Sequence, residues 1–373
     1  MSDKRGIKKK NIIIACGGTA GHIFPGLTLA DELIKRHSGN ISISFITSDN
    51  NLAQKLFEGS GYNFYTLPVK GLKKRSIAGN IDFVTSLFVG AIKSMNIVFR
   101  ERPNCFVAFG SYISGPPFVA ASLLKIPTII HEQNMTMGRA NKLMHRFATK
   151  VALSFPRASE PGKDNTVVTG NPIRQAAMKE TSREKARGLL GMAADKFAVL
   201  VIGGSQGSRF VNFAAAEAFK DMNRLLRRRI QVIHIAGEGD YKRIEAEYQN
   251  IGDLSCKVYS FFSDMGTAYS AADIVISRAG ASTIFELTSH KIPAILIPYP
   301  FAAGHQVENA KFLSDRNAAI LIEEKNLSRE SLKYAILKLL EDANLRGLMR
   351  KRLENFAAAD AAEKLADEVE IFL

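Results

Sequence analysis

The sequence predicts an α/β protein made of two Rossmann-like domains in tandem, each a parallel sheet flanked by helices. Three observations carry that expectation. Short apolar, β-rich runs alternate with helix-period segments along the chain. A strand, a glycine-rich turn and a helix follow one another from Asn11, and the same pattern starts again at Phe197. At 373 residues the chain also exceeds the size at which one core stops growing.

The first copy reads NIIIACGGTAGHIFPG over residues 11–26. An apolar strand over 11–16 meets Gly17, Gly18 and Gly21, and Pro25 is expected to open a helix over 25–37 with Leu27, Ala30, Leu33 and Ile34 on one face. Glycines let backbone N–H groups approach an anion, and the helix N-terminus adds partial positive charge. His22 stands at the mouth of this turn. It can exchange a proton near neutral pH, or it can simply bond a backbone carbonyl at the helix start. Further strands are expected over 41–46, 105–109, 128–131 and 150–153.

The second copy has an apolar strand over 197–202, the turn Gly203-Gly204-Ser205-Gln206-Gly207, and a helix carrying Val211, Ala214, Ala215, Ala218 and Phe219. Strands should follow over 231–236, 257–261, 273–277, 294–298 and 319–322. The boundary falls near Gly170-Asn171-Pro172, giving an N-terminal domain over 1–172 and a C-terminal domain over 173–355. The acidic final helix, 356–373, either folds back on the basic first domain or stays a solvated surface helix.

In open α/β sheets, ligands sit beyond the C-terminal ends of the strands. His22, the Gly110 turn and His131 to Asn134 follow strands of the first half; Ser205, Phe262, Arg278 to Glu286 and Gln306 follow strands of the second. If the two edges face each other, all of them line one inter-domain cleft. In Arg278-Ala-Gly-Ala-Ser-Thr-Ile-Phe-Glu286, Gly280 permits a tight turn and Ser282 and Thr283 suit the N-cap region of a new helix. Arg278 supplies a counter-charge for a phosphate. Glu286 can accept both hydroxyls of a ribose, or can merely favour the helix dipole. His131-Glu132-Gln133-Asn134 is either a set of partners for sugar hydroxyls or a polar loop.

Two rival chemistries fit parts of the sequence. Gly203-x-Ser205-x-Gly207 matches a hydrolase nucleophile elbow, with Asp264 or Asp273 and His290 or His305 following in order. A nicotinamide dehydrogenase would use Asp49 on the ribose, but Gly17-Gly18-x-x-Gly21 is not G-x-G-x-x-G.

Composition bounds the partners. The net charge of +14 is one-sided: 22 Lys and Arg face 10 Asp and Glu up to Pro172, against 28 and 26 thereafter. Lys70, Lys73, Lys74 and Arg75 precede a segment with Phe83, Val84, Leu87, Phe88, Ile92 and Met95. That combination suits an anionic bilayer surface, or a buried helix with a solvated loop. Nucleic acid fits poorly, because no aromatics interleave the cations. Residues 81–99 come nearest to a transmembrane span but carry Asp82, Lys93 and Asn96. The basic start MSDKRGIKKK is followed by an apolar run that stops at Cys16, which argues against a secretory signal. Cys16, Cys105 and Cys256 are dispersed and read as reduced cytoplasmic thiols. Arg224 and Arg227 to Arg229 read as a solvated helix end. No carboxylate pair stands near the glycine turns, so neither a tightly bound metal nor a cofactor is expected.

Taken together, GGTAGHIFPG, HEQN (131–134), GNPIR (170–174), GGSQGS (203–208) and RAGASTIFE (278–286), in that order, resemble the MurG family of peptidoglycan glycosyltransferases over essentially the whole chain. The resemblance implies a GT-B fold with two domains facing a central cleft. It also implies an inverting transfer of N-acetylglucosamine from UDP-N-acetylglucosamine to lipid I, giving lipid II. Attachment to the inner face of the cytoplasmic membrane through the first domain follows from it, with room for partners among cell-wall synthesis and division proteins. Residue by residue, it places Thr19, Ala20 and Gly21 at the donor's sugar and phosphates and Asn134 at the sugar. Arg174 and Ser205 would hold the diphosphate, and Phe262 would set its backbone against uracil. Ala281, Ser282, Thr283, Ile284, Phe285 and Glu286 would form the diphosphate and ribose site, Gln306 would read sugar hydroxyls, and His22 would be the general base. Two positions depart from the family pattern: Ser111 stands where the middle turn usually has its second glycine, and Ala20 where another glycine is common.

Overall fold

Among the described residues, thirteen strands form two sheets in which every pairing is parallel, and each sheet belongs to its own unit of the chain. The computed structural model describes residues 9–69, 77–156, 165–204, 206–301, 304–356 and 360–373. One unit comprises Met1–Arg174 with Asp360–Leu373, the other Gln175–Ala359.

The first unit carries β1 (Lys10–Ala15), β2 (Ile41–Ser48), β3 (Asn63–Leu67), β4 (Cys105–Ala108), β5 (Thr128–Glu132), β6 (Lys150–Leu153) and β7 (Thr166–Val168), in the order β3-β2-β1-β4-β5-β6-β7. Alternate side chains of β1 enter different cores: Ile12 and Ile14 pack with Leu29 and Leu33, while Ile13 and Ala15 pack with Val98 and Phe118. A parallel strand covered on both faces reads as an unbroken apolar run, which is why β1 was legible. The edge strands β3 and β7 have half-exposed patterns and were not.

Pro25 lies inside the first helix, which spans Ala20–His37 and not 25–37. The proline has no N–H for the Gly21 carbonyl and so reads as a helix start. The helix begins earlier because Thr19, extended at φ −141° and ψ 159°, already presents its carbonyl to the N–H groups of His22 and Ile23 at 3.1 and 3.2 Å. The final helix, Ala361–Glu370, lies against this one. Leu365, Ala366 and Val369 enter the core of Leu29 and Leu33, and Arg36 bonds Asp367 and Glu370 at 2.6 and 3.0 Å.

Helix Ile77–Glu101 is the longest described, and its segment Asp82–Glu101 is long and apolar enough to cross a membrane by length and composition. Asp82, Lys93 and Asn96 lie exposed on it without interrupting the helix. Val84, Phe88, Ile92 and Phe99 are more than half exposed on it. The basic cluster Lys70 to Arg75 lies outside the described residues.

The second unit carries β8 (Phe197–Ile202), β9 (Ile230–Ile235), β10 (Ser255–Tyr259), β11 (Ile274–Ser277), β12 (Ala294–Leu296) and β13 (Ala319–Leu321), in the order β10-β9-β8-β11-β12-β13. Val199 and Val201 of β8 enter a core with Val211, Ala215, Leu332 and Ile336 from the helices that cover that face.

Candidate functional site

The strand order of the first sheet reverses between β1 and β4. Helix Ala20–His37 then packs on one face and helix Gly115–Leu123 on the other, so the ends of β1 and β4 stay uncovered between them. The β1 exit fills this opening with backbone. A Cβ at Gly17 would lie 3.0 Å from the Ser48 nitrogen, and Gly18, at φ +85°, donates its N–H to Ser48 Oγ at 3.2 Å. Thr19 is the N-cap, yet its hydroxyl meets His22 Nδ1 at 2.9 Å instead of a helix N–H. When Thr19 Oγ1 accepts from Nδ1–H, the lone pair of the imidazole sits on Nε2. Ala20 is buried beneath this turn and Gly21 is exposed above it.

The β4 exit runs beside it. A Cβ on Gly110 would lie 3.6 Å from His22 Cδ2 and 3.3 Å from Asn141 Nδ2, and one on Gly18 would lie 3.2 Å from Ser111 Oγ. Ser111 adopts φ 66° and ψ 158°, a region that is essentially glycine's. At the position where the sequence departs from the family pattern, the backbone keeps the conformation a glycine would take.

Of the four polar residues 131–134, which end β5 and follow it, His131, Glu132 and Gln133 are buried and turn inward as supports. Glu132 is buried, and its carboxylate accepts from Asn134 N and Nδ2 at 2.9 and 3.2 Å and from Gly138 N and Asn141 Nδ2 at 2.8 Å each. Asn134 is thereby aimed, half-buried, at the strand exit. His131 is fully buried; Nε2–H donates to the Gly170 carbonyl at 3.0 Å while Nδ1 faces the Gln133 amide at 3.3 Å. Burial pushes the His131 pKa down to about 4. Arg174 packs its guanidinium 3.8 Å from the ring centroid of Phe24. Asn141 went unnoticed in the sequence because nothing distinguishes it from any polar residue of helix Arg139–Met144.

The second sheet repeats the arrangement, with its order reversing between β8 and β11. Gly207, at φ +78°, admits no side chain, since a Cβ there would lie 2.1 Å from the Ala236 carbonyl oxygen. Ser205 lies outside the described residues. Ser208 caps helix Arg209–Lys220 and accepts Arg278 Nε–H at 3.1 Å, which ties the β8 exit to the β11 exit. The remaining donors of Arg278 go to the Ile297 carbonyl at 3.0 Å and to Glu324, so the side chain braces the turn and its charge is already paired.

Gly280 is the N-cap of helix Ala281–Ser289, and Ser282 and Thr283 follow it in the first turn. Glycine fits because its backbone alone closes the turn, and the N–H groups of Ala281, Ser282 and Thr283 are then the donors a helix start leaves outside its own bonding. Ile284 and Phe285 are buried behind them, and Ile284 N–H begins the helix ladder at the Gly280 carbonyl. Glu286 is half-buried and accepts from the Tyr269 hydroxyl at 2.7 Å. Gln306 Oε1 accepts from Ala279 N and Tyr299 N at 3.3 and 3.0 Å, which fixes the direction of its amide. Phe262, half-buried after β10, lies 4.9 Å from Tyr259 between ring centroids.

These contacts generate two predictions. Ser111→Gly removes a backbone conformation that costs of order 1–3 kcal/mol, partly offset by the greater freedom of glycine when unfolded; urea unfolding should show the variant more stable by about 1 kcal/mol. The second concerns pH. His131 and the buried His234, held at about 4 and about 3 by burial, are neutral when folded but take up a proton near pH 6.5 when unfolded. The unfolded chain therefore binds more protons below pH 6.5, and their contribution to stability is complete above pH 6.5 and lost as pH falls towards 4. Thermal midpoints measured across that window should fall, and His131→Gln should make the fall shallower.

Comparison with known proteins agrees with this pattern of paired turns. The glycosyltransferase family 28 N-terminal domain matches residues 12–153, and the family 28 C-terminal domain matches residues 198–365. The UDP-N-acetylglucosamine--N-acetylmuramyl-(pentapeptide) pyrophosphoryl-undecaprenol N-acetylglucosamine transferase of Thermodesulfovibrio yellowstonii is 38% identical over 364 residues, covering 97% of this chain and 98% of the relative. The enzyme of that name from Acetivibrio thermocellus is 36% identical, covering 95% and 96%. The crystal structure of Acinetobacter baumannii MurG superposes with a TM-score of 0.77 at 26% identity, covering 97% of this chain and 99% of that one. The hydrolase and dehydrogenase readings of the glycine turns fall away. The chain belongs to the MurG family of glycosyltransferases and is a hexosyltransferase with the GT-B fold.

Proposed function

We propose that this glycosyltransferase moves N-acetylglucosamine from UDP-N-acetylglucosamine to the 4-hydroxyl of the muramyl sugar of lipid I, with inversion, to form lipid II. The second unit takes the donor and the first unit the acceptor. His22 Nε2 removes the proton as the acceptor oxygen bonds to the anomeric carbon, and the bond from that carbon to the diphosphate breaks, releasing UDP with the electron pair. The N–H groups at the start of helix Ala281–Ser289 and the turn around Ser205 carry the charge of the departing diphosphate, and Glu286 holds the ribose. Arg278 acts by fixing the turn, given its pairing with Glu324. Thr19, Ala20, Gly21 and Asn134 border the sugar, Gln306 reads its hydroxyls, Phe262 lies by uracil and Arg174 by the diphosphate. The observation that carries the reading is the repetition of one device, a glycine turn and helix start at each sheet's reversal, with an imidazole added in the first and a half-buried glutamate in the second.

The enzyme works from the inner leaflet of the cytoplasmic membrane. Val84, Phe88, Ile92 and Phe99 form an exposed apolar stripe on helix Ile77–Glu101, and the surplus of basic residues in this half of the chain favours anionic lipid.

UDP release should depend on a lipid I analogue, and His22→Ala should lower kcat by about 10²–10⁴ with little change in donor KM; a loss of less than tenfold would remove His22 as the base. Phe88→Asp should reduce co-sedimentation with phosphatidylglycerol vesicles while leaving turnover of a water-soluble acceptor intact.

A further inference from the structure

A recess of about 410 Å³ opens at the N-terminal edge of the second sheet, where Phe197 begins β8, Arg229 precedes β9 and Asp273 precedes β11. It lies at the opposite end of the strands from the glycine turns, about 20 Å away along the six residues of β8. Its lining holds six cationic side chains: Arg183, Lys196, Arg228, Arg229, Arg346 and Arg350. Two carboxylates, Asp195 and Asp273, accompany them.

Those charges do not cancel. Asp273 is buried and fully used, pairing with Arg183 and Arg187 at 2.8 Å each and accepting from Ala198 N at 2.7 Å. Arg228 is taken by Asp253 at 2.9 Å, which also holds Arg224. Among the described residues, no carboxylate lies within ion-pair distance of Lys196, Arg229, Arg346 or Arg350. Arg346 is fixed in place: it donates to the carbonyls of Leu339 and Leu340, which end helix Arg329–Glu341, and its guanidinium lies 5.2 Å from the Phe197 ring centroid. Burial depresses its pKa; Asp273 and Asp342 oppose that shift, while Arg350 and Arg183, which carry the same charge, add to it.

Arg183, Arg228, Arg229 and Arg350 are exposed and Lys196 and Arg346 half-buried, so the recess presents like charges on an open concave wall, which attracts an anion. Guanidinium groups present planar forks that match phosphate oxygens, and the volume falls within the range of small-ligand sites. We propose that this recess is a binding site for a small, multiply charged phosphate, separate from the donor site.

The test uses the whole protein saturated with UDP, so that the donor site is filled, and titrates inorganic pyrophosphate at fixed ionic strength by calorimetry. One pyrophosphate per chain is expected, with at least tenfold weaker binding to Arg229→Gln/Arg350→Gln, whose acceptor-dependent UDP release stays that of the wild type. Heat reproduced by chloride at matched ionic strength, or affinity unaltered by the double substitution, overturns the site. Without ligand, Arg350→Gln should raise the thermal midpoint, because a repulsion is removed; a lowered midpoint with unaltered pyrophosphate affinity makes Arg350 a structural prop and overturns the proposal. Phosphatidylglycerol vesicles separate the two sources of phosphate: equal vesicle binding by wild type and double variant assigns the site to a soluble phosphate, and parallel loss of vesicle and pyrophosphate binding assigns it to a lipid headgroup.

Discussion

Where the order of a parallel sheet reverses, the helices on either side leave for opposite faces, and the strand ends between them can be closed only by backbone. Both units meet this constraint with glycine. Gly18 at φ +85° and Gly207 at φ +78° hold conformations that side chains disfavour, and a Cβ on Gly207 would strike the Ala236 carbonyl. The outcome is a tight backbone turn leading into a helix start, whose first N–H groups lie outside the helix's own bonding, which is what an anionic sugar nucleotide requires. Everything else near the two openings serves to hold that backbone still.

The supports are buried or half-buried polar groups, each held by several partners. Glu132 accepts four N–H donors, two of them from the backbone, and so fixes both Asn134 and the turn at Gly138. Arg278 does the equivalent in the second unit by joining Ser208, Ile297 and Glu324. Charges that would be costly alone become rigid braces when every donor and acceptor is matched. Ser111 is the counter-example, a side chain kept in a glycine conformation next to Gly18.

The parallel strands were legible because central strands are covered on both faces and announce themselves as apolar runs; β6 and β8 begin and end where the sequence places them. The edge strands β3 and β7 were not, because half-exposed edges carry no such run. Glycine turns and the His22 position could be read directly, since their chemistry is local. The roles of His131, Glu132 and Arg278 could not: each looks like a ligand contact in the sequence and becomes a support only through partners outside its own motif, Asn141 for Glu132, Gly170 for His131 and Glu324 for Arg278. The start of the first helix was misplaced for a related reason, as Pro25 signals a helix start locally while Thr19, six residues earlier, sets it.

In the proposed function, the donor is gripped by backbone at the reversal of the second sheet. Hydrogen exchange of the amides, compared with and without UDP-N-acetylglucosamine, tests it most directly. The account predicts slowed exchange in peptides covering residues 203–208 and 278–286; exchange there unchanged by saturating donor, with protection elsewhere in the chain, would contradict it.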